Sequence, residues 1–286
     1  MDQKEFHRLM KEASEKLKKA GIDSASAEVE IILAAILDTE RINLYLYGEK
    51  LLDENSLSRF DQIIDQRTTR RPLQYILGET YFYGRKFRLT SDVMVPTPET
   101  ELLCDLAIGY IKNENICSPE VLDVGVGSGV VSVTMACEIK SARVTALDIS
   151  TKAIRIASEN ADTYGVKEKI EFIQSDIFSN LQQARKFDIV LSNPPYVSEE
   201  EYKSLPPEVL ADPKISLVSG KEGLDFIKTL IAKTPDYLKP NGRLMFEIGS
   251  NQAGKIAEIS EKDMRYRSIS IMKDLNDIDR VVVLST

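Results

Sequence analysis

The sequence predicts an α/β protein: a doubly wound, mostly parallel sheet with an antiparallel hairpin at its C-terminal edge, preceded by a small N-terminal helical domain. Three observations carry this. From about residue 118 onward, short apolar runs alternate with helical stretches, the rhythm of a parallel sheet with crossover helices. A glycine-rich turn, "VLDVGVGSGVV", joins one such run to a helix. The first 72 residues instead carry apolar side chains at helical spacing.

Taken in order, Phe6, Leu9, Met10, Ala13, Leu17 and Ala20 mark a first helix that Gly21 is placed to stop. Ser24 is placed to cap a second through "AEVEIILAAIL", and Leu57, Phe60, Ile63 and Ile64 mark another. This unit, 1–72, holds 12 Lys and Arg against 14 Asp and Glu, so it is nearly neutral. It reads either as a packing or oligomerisation module or as a docking module. Residues 73–95 alternate aromatic and polar side chains around Gly78 and Gly84, which predicts a β-hairpin linker.

The remaining domain, 96–286, opens with "PTPETELLCDLAIGYI", a helix entered through Pro96 and Pro98 with acids in its first turn. Then follow "EVLDVGV", "VVSVTMACEI", "ARVTALDI", "KAIRIASENADTYG", "IEFIQSDIF", "FDIVLSN", "GLDFIKTLIAKTPDYL" and "GRLMFEIG". The tail, "YRSISIMKDLNDIDRVVVLST", gives two strand-like runs around a polar turn.

Composition narrows the function. In 286 residues, 43% are hydrophobic and 29% charged, enough for a sizeable core under a soluble surface. A net charge of −8 argues against a protein that coats nucleic acid. Cys104, Cys117 and Cys137 are too few and scattered for a disulfide framework or a zinc site, which points to a reducing cytoplasm. The only histidine, His7, leaves no metal site that needs several, so no metal is expected. The N-terminus lacks a signal-peptide core, and no apolar run approaches membrane-spanning length.

The chemistry concentrates at strand ends. Gly125, Gly127 and Gly129 let the backbone turn tightly and approach a ligand, with Val126 and Ser128 between them. A dinucleotide fingerprint needs a third glycine where Val130 stands. Asp148 ends the next strand, where an acid can take a ribose diol. Asp176 and Ile177 follow a third strand, where they can hold an adenine ring. Either acid alone is also an ordinary helix cap. No Walker lysine motif is present, so a nucleoside without a triphosphate fits, and S-adenosyl-L-methionine fits better than NAD.

The run "SNPPYV" (192–197) breaks a strand with two prolines, which cannot donate to a ladder. Asn193 offers a side-chain carbonyl and Pro194 a backbone carbonyl, two acceptors for the two N–H bonds of a planar NH₂ group. Held this way, an amide or exocyclic amino nitrogen presents its lone pair to a methyl donor. The hydrogen bonds strengthen as the nitrogen becomes positive. Pro195 stiffens the turn, and Tyr196 supplies an aromatic wall tolerant of positive charge. Asn-Pro-Pro alone is also a common turn.

At these residues the sequence resembles the class I S-adenosylmethionine-dependent methyltransferases, with a Rossmann-like sheet. More closely it resembles the HemK/PrmC-type peptide chain release factor N5-glutamine methyltransferases. The resemblance covers essentially the whole chain, through "RRPLQYILGE", "VPTPETE", "VLDVGVGSG", "ALDIS", "QSDIF", "SNPPYV", "SGKEGLDF", "LMFEIGSNQ" and "KDLNDIDRVV". It implies that Gly125 to Gly129 line the methionine part of the cofactor, that Asp148 holds its ribose, and that Asn193 to Tyr196 grip the glutamine. It implies as substrate the Gly-Gly-Gln glutamine of class I release factors, docked with help from the helical domain. Two positions depart from the family: Thr97 stands where it commonly has Arg, and Asp212-Pro213 where it tends to have Glu-Pro.

Two other readings stay open at this point. The Asn-Pro-Pro-Tyr chemistry also serves adenine-N6 and guanine-N2 methylation of nucleic acid. That reading needs clustered basic residues, and "RTTRR" (67–71) is short. A catalytically silent cofactor-binding module would show a disrupted glycine loop or Asn-Pro-Pro-Tyr run, and neither is disrupted.

Overall fold

The computed structural model describes residues 2–286, the Glu49 side chain excepted; Met1, first residue of the expected helical unit, lies outside the described residues. The chain divides into two compact units, Met1–Glu79 with Pro206–Ala211, and Thr80–Leu205 with Asp212–Thr286.

The first unit contains α1 (Gln3–Lys19), α2 (Ala25–Ile36), α3 (Arg41–Leu51), α4 (Glu54–Thr68) and α5 (Leu73–Leu77). They pack around Phe6, Leu17, Ile32, Leu33 and Phe60, which are fully buried. Asp2 and Glu5 form a reciprocal capping box at the start of α1. Ser24 precedes α2 as expected but makes no cap; its hydroxyl donates to the Glu28 carboxylate instead, at 2.8 Å. The segment expected as a hairpin linker begins differently too. Leu73–Leu77 is a helical turn and a half that buries Leu73 and Tyr75 and stops at Gly78, whose φ is 77°. Five residues fit either period, and the left-handed glycine decided for the helix.

The second unit opens with the short hairpin β1 (Glu79–Phe82) and β2 (Arg85–Arg88), then α6 (Thr100–Asn113). Next come β3 (Glu120–Val124), α7 (Val130–Glu138), β4 (Arg143–Asp148), α8 (Thr151–Thr163), β5 (Ile170–Gln174) and β6 (Phe187–Ser192). Two single-turn helices, α9 (Glu199–Tyr202) and α10 (Pro207–Leu210), interrupt the pattern, the latter lying in the segment that belongs to the helical unit. The chain ends through α11 (Asp225–Lys233), β7 (Leu238–Glu247), α12 (Ala253–Glu261), β8 (Ser268–Lys273) and β9 (Asp279–Ser285).

The seven strands lie in the order β5-β4-β3-β6-β7-β9-β8. Strands β3 to β7 run parallel, while β9 pairs antiparallel with both β7 and β8. The central strands are buried on both faces, and their side chains sort by parity, whereas the edge strand β8 has no buried residue. Val121, Ile189, Leu191, Met245, Val281 and Val283 face a core shared with α6, α7 and α8. Leu122, Val124, Val190, Leu244, Phe246 and Val282 face the core of α11 and α12.

Strand order also positions the site. From β3 the chain winds outward through β4 to β5, then returns to place β6 on the other side of β3. The carboxyl ends of β3 and β6 are therefore neighbours at a topological switch point, where open α/β sheets bind ligands. The Ser192 hydroxyl donates to the Val124 carbonyl at 2.6 Å and joins those two ends directly.

Candidate active site

The glycine loop leaves β3 through a backbone that only glycine adopts freely: φ is 88° at Gly125, 53° at Gly127 and 84° at Gly129. Gly125 and Val126 both donate to the Leu147 carbonyl, at 2.8 and 2.9 Å, which ties the loop to the end of β4. Gly129 does a different job. A Cβ there would stand 2.9 Å from the Cβ of Ala157, so this glycine lets the start of α7 close on α8. Asn160, fully buried on α8, braces the loop by donating to the Ser128 carbonyl at 2.8 Å, and its Oδ1 accepts from Arg88 N.

Asp148 receives the loop. One carboxylate oxygen accepts from Gly127 N at 3.0 Å, the other from Ser150 N at 2.8 Å. Ser150, not Asp148, caps α8, through its hydroxyl on Ala153 N. The remaining lone pairs of Asp148 suit a diol. Burial raises the Asp148 pKa, opposed by those backbone donors. Deeper in, Asp123 is fully buried and accepts from the Ser132 hydroxyl at 2.5 Å; burial first, then repulsion from Asp148, pushes its pKa up to about 7.

These groups open onto one cavity of about 340 Å³. Of the residues singled out from sequence, Gly125, Val126, Gly127, Ser128, Asp148, Asp176, Ile177, Asn193 and Pro195 line it. Gly129, Pro194 and Tyr196 do not. Gly129 is turned to Ala157, Pro194 is buried, and Tyr196 packs into the core beside α11 and α12. Asp176 is exposed at the cavity edge. Ile177 sits at φ 49°, a left-handed conformation that is a true outlier for a β-branched side chain. Apolar walls come from Val93, Met94, Leu147, Ile149, Ile215 and Phe226.

At the end of β6, the Asn193 amide nitrogen donates to Thr100 Oγ1 at 3.0 Å, and Thr100 donates to Glu247 Oε2 at 2.7 Å. The Tyr196 hydroxyl donates to the other Glu247 oxygen at 3.2 Å. Glu247 and Thr100 are each 1% exposed, and burial raises the pKa of both Glu247 and Tyr196. Asn193 Oδ1 is left buried with no hydrogen-bond partner, one of two such side-chain atoms among the described residues. A buried carbonyl without a donor costs about 1–3 kcal/mol, so it marks a place where a donor belongs.

Three family-like segments that sequence reasoning left without a role hold this turn. Gln252 donates to the Tyr196 carbonyl at 2.8 Å and to the Gly223 carbonyl at 3.2 Å, while Gly249 N donates to its Oε1. Thr100 lies in "VPTPETE", Gly223 in "SGKEGLDF", and Glu247 and Gln252 in "LMFEIGSNQ". A carboxylate closing the apolar run "LMFE" was the one available signal for Glu247. Thr97 does not line the cavity; its carbonyl accepts from Thr100 N. Asp212 accepts from Val95 N at 3.3 Å, next to the cavity-lining Pro96 and Pro213.

Residues 8–78 match the family described as the PrmC N-terminal domain, and residues 105–222 match the methyltransferase small domain. The chain is 36% identical over 271 residues to the release factor glutamine methyltransferase of Fusobacterium nucleatum subsp. nucleatum, across 94% of this chain and 75% of that one. It is 35% identical over 266 residues to the release factor glutamine methyltransferase of Chlorobaculum tepidum, across 91% of this chain and 90% of that one. In fold it is similar to a methyltransferase from Pyrococcus furiosus, with a TM-score of 0.52 at 17% identity over 82% of this chain and 98% of that one. With its two matched domains and these relatives along nearly its whole length, the chain belongs to the release factor glutamine methyltransferase family.

Proposed function

We propose that the chain transfers the methyl group of S-adenosyl-L-methionine to the side-chain amide nitrogen of the glutamine in the Gly-Gly-Gln motif of class I peptide chain release factors. The observation that carries this reading is Asn193 Oδ1, a buried acceptor without a partner on a residue that lines the cavity. The relatives' names supply the substrate class.

The cavity suits the cofactor. Glycines let the backbone approach the amino-acid end, Asp148 offers acceptors to the ribose, and Ile177 with Ile149 gives the adenine apolar walls. Asp148, whose two oxygens accept from backbone N–H groups, offers a carboxylate toward a cationic ligand. When bound, S-adenosylmethionine supplies a methyl group on a positively charged sulfur. The chain's own residues handle the acceptor. Asn193 Oδ1 takes one N–H of the substrate amide and the Pro194 carbonyl takes the other, so the NH₂ group is held with its lone pair facing the donor. Both bonds strengthen as the nitrogen becomes positive, which favours the transition state over the ground state. Pro195 walls the amide, Tyr196 steadies the turn from behind through its hydroxyl on Glu247, and the surplus proton passes to water after transfer.

In this reading the helical unit docks the release factor, no nucleic acid takes part directly, and the enzyme works in the cytoplasm. The test is transfer of label from S-adenosylmethionine to a purified release factor and to the same factor with its Gly-Gly-Gln glutamine changed to alanine. Label on the first and none on the second is expected. Label on both, or on RNA in place of either, overturns the reading.

A further inference from the structure

We propose that Thr100 and Glu247 are positioning residues for methyl transfer, setting the Asn193 amide with its carbonyl free for the substrate and anchoring Tyr196 beside it. The inference rests on the function proposed above and adds to it the device that gives Asn193 its orientation.

The argument is one of donors and acceptors. Against the cost of burial, the Thr100 and Tyr196 hydroxyls on the two Glu247 oxygens and the charge of Arg280 favour its ionised form. An ionised carboxylate only accepts hydrogen bonds. Thr100 has a single hydroxyl proton, and at 2.7 Å from Glu247 Oε2 that proton is committed to the carboxylate. The Thr100 oxygen can then only accept. Facing it at 3.0 Å, the Asn193 amide must present its NH₂ group. Its carbonyl oxygen is thereby turned the other way and left without a protein partner. Flipping the amide would set two acceptors against each other in a buried place. The second Glu247 oxygen takes the Tyr196 hydroxyl, so one carboxylate on β7 fixes two side chains of the Asn-Pro-Pro-Tyr turn. The chain of bonds also polarises. An amide whose N–H gives to a hydroxyl that in turn gives to an anion carries more negative charge on its own oxygen. That oxygen is the one offered to the substrate.

Thr100→Val is close to isosteric and removes only the hydroxyl, while Thr100→Ser keeps it. With release factor as substrate, kcat for Thr100→Val is expected to fall roughly 10–100-fold, the scale of losing a partner that holds a functional group in place. Cofactor affinity by calorimetry should stay at the parental value, and Thr100→Ser should recover most of the turnover. Glu247→Gln, which can donate to Thr100 and reverse the chain, should fall with the valine variant. The Asn193 side-chain NH₂ resonance gives a readout independent of turnover: in Thr100→Val it should shift and lose its protection from exchange. A parent that transfers nothing to glutamine would sink the proposed function, yet the NH₂ signal would still decide on the network. Parental kcat in Thr100→Val, equal losses in the valine and serine variants, or an unmoved NH₂ signal overturns the inference.

Discussion

The carbonyl oxygen of Tyr196 occupies the space where a side chain on Gly223 would begin: a Cβ there would stand 2.2 Å from it. The same carbonyl is held by Gln252 Nε2 at 2.8 Å. Gly223 therefore belongs to the site although it does not line the cavity described above. It lets the loop after the Asn-Pro-Pro-Tyr turn close on the turn's own backbone, at a φ of 72° that disfavours any larger residue.

Gly223→Ala should push the turn away from its supports. Overpacking of this kind costs about 1–3 kcal/mol of stability. Displacing Tyr196 and Asn193 by an ångström should lower kcat by about 10²-fold. Gly109→Ala is the control. That glycine lies inside α6, and a methyl group added there would meet nothing within 4 Å, so the change should stabilise by about 0.5–1 kcal/mol and leave kcat alone. Urea titrations and steady-state kinetics on both variants check the pair; parental kcat in Gly223→Ala would contradict the closure.

Asp148→Ala should weaken cofactor binding by about 1.5–3 kcal/mol, the range for hydrogen bonds to a charged group. The variant also loses the acceptors for Gly127 N and Ser150 N, so the loop itself loosens and the loss should lie toward the upper end. Titration calorimetry with S-adenosylmethionine reads it directly. Unchanged affinity would remove Asp148 from the ribose.

Within the helical unit, Glu208 accepts from Arg70 at 2.5 and 2.7 Å and from the buried Arg67 at 2.9 Å, and Arg67 also donates to Glu28. Hydrogen bonds from Arg70, the largest cause, hold the Glu208 pKa down to about 2, against an ordinary value of 4.5. A depressed carboxylate stabilises above its unfolded pKa and stops doing so as pH falls through the folded value. Glu208→Gln should therefore be less stable than the parent at pH 7, by about 1–3 kcal/mol. The gap should narrow below about pH 4.5 and vanish toward pH 2. Melting curves of both proteins across that range test it, and a gap independent of pH would assign the effect to packing.

Much of this was legible in the sequence, for local reasons. The glycine loop, Asp148, Ile177 and the Asn-Pro-Pro-Tyr turn are short runs whose chemistry depends on neighbours in sequence, and strand order brings Gly125 to Ser128, Asp148, Ile177, Asn193 and Pro195 to one cavity. Thr100 and Glu247 were not legible because their meaning lies in each other, 147 residues apart. Gly129 reads from sequence as a ligand-lining residue, whereas its need is the approach of Ala157. The four-residue helix Pro207–Leu210 carries no period long enough to show that its segment packs with the helical unit, a fact set by Glu208 finding Arg67 and Arg70. At residues 73–77, five positions could not distinguish a helical turn from a strand.

The central claim is that Asn193 Oδ1 receives the substrate amide, and Asn193→Ala tests it most directly. Turnover on release factor and cofactor affinity should be measured on the same preparation. The account predicts a fall in kcat on the order of 10²–10³-fold, the scale of removing one preorganised transition-state hydrogen bond, with cofactor affinity close to the parent's. Parental turnover in a variant that binds the cofactor normally would contradict it.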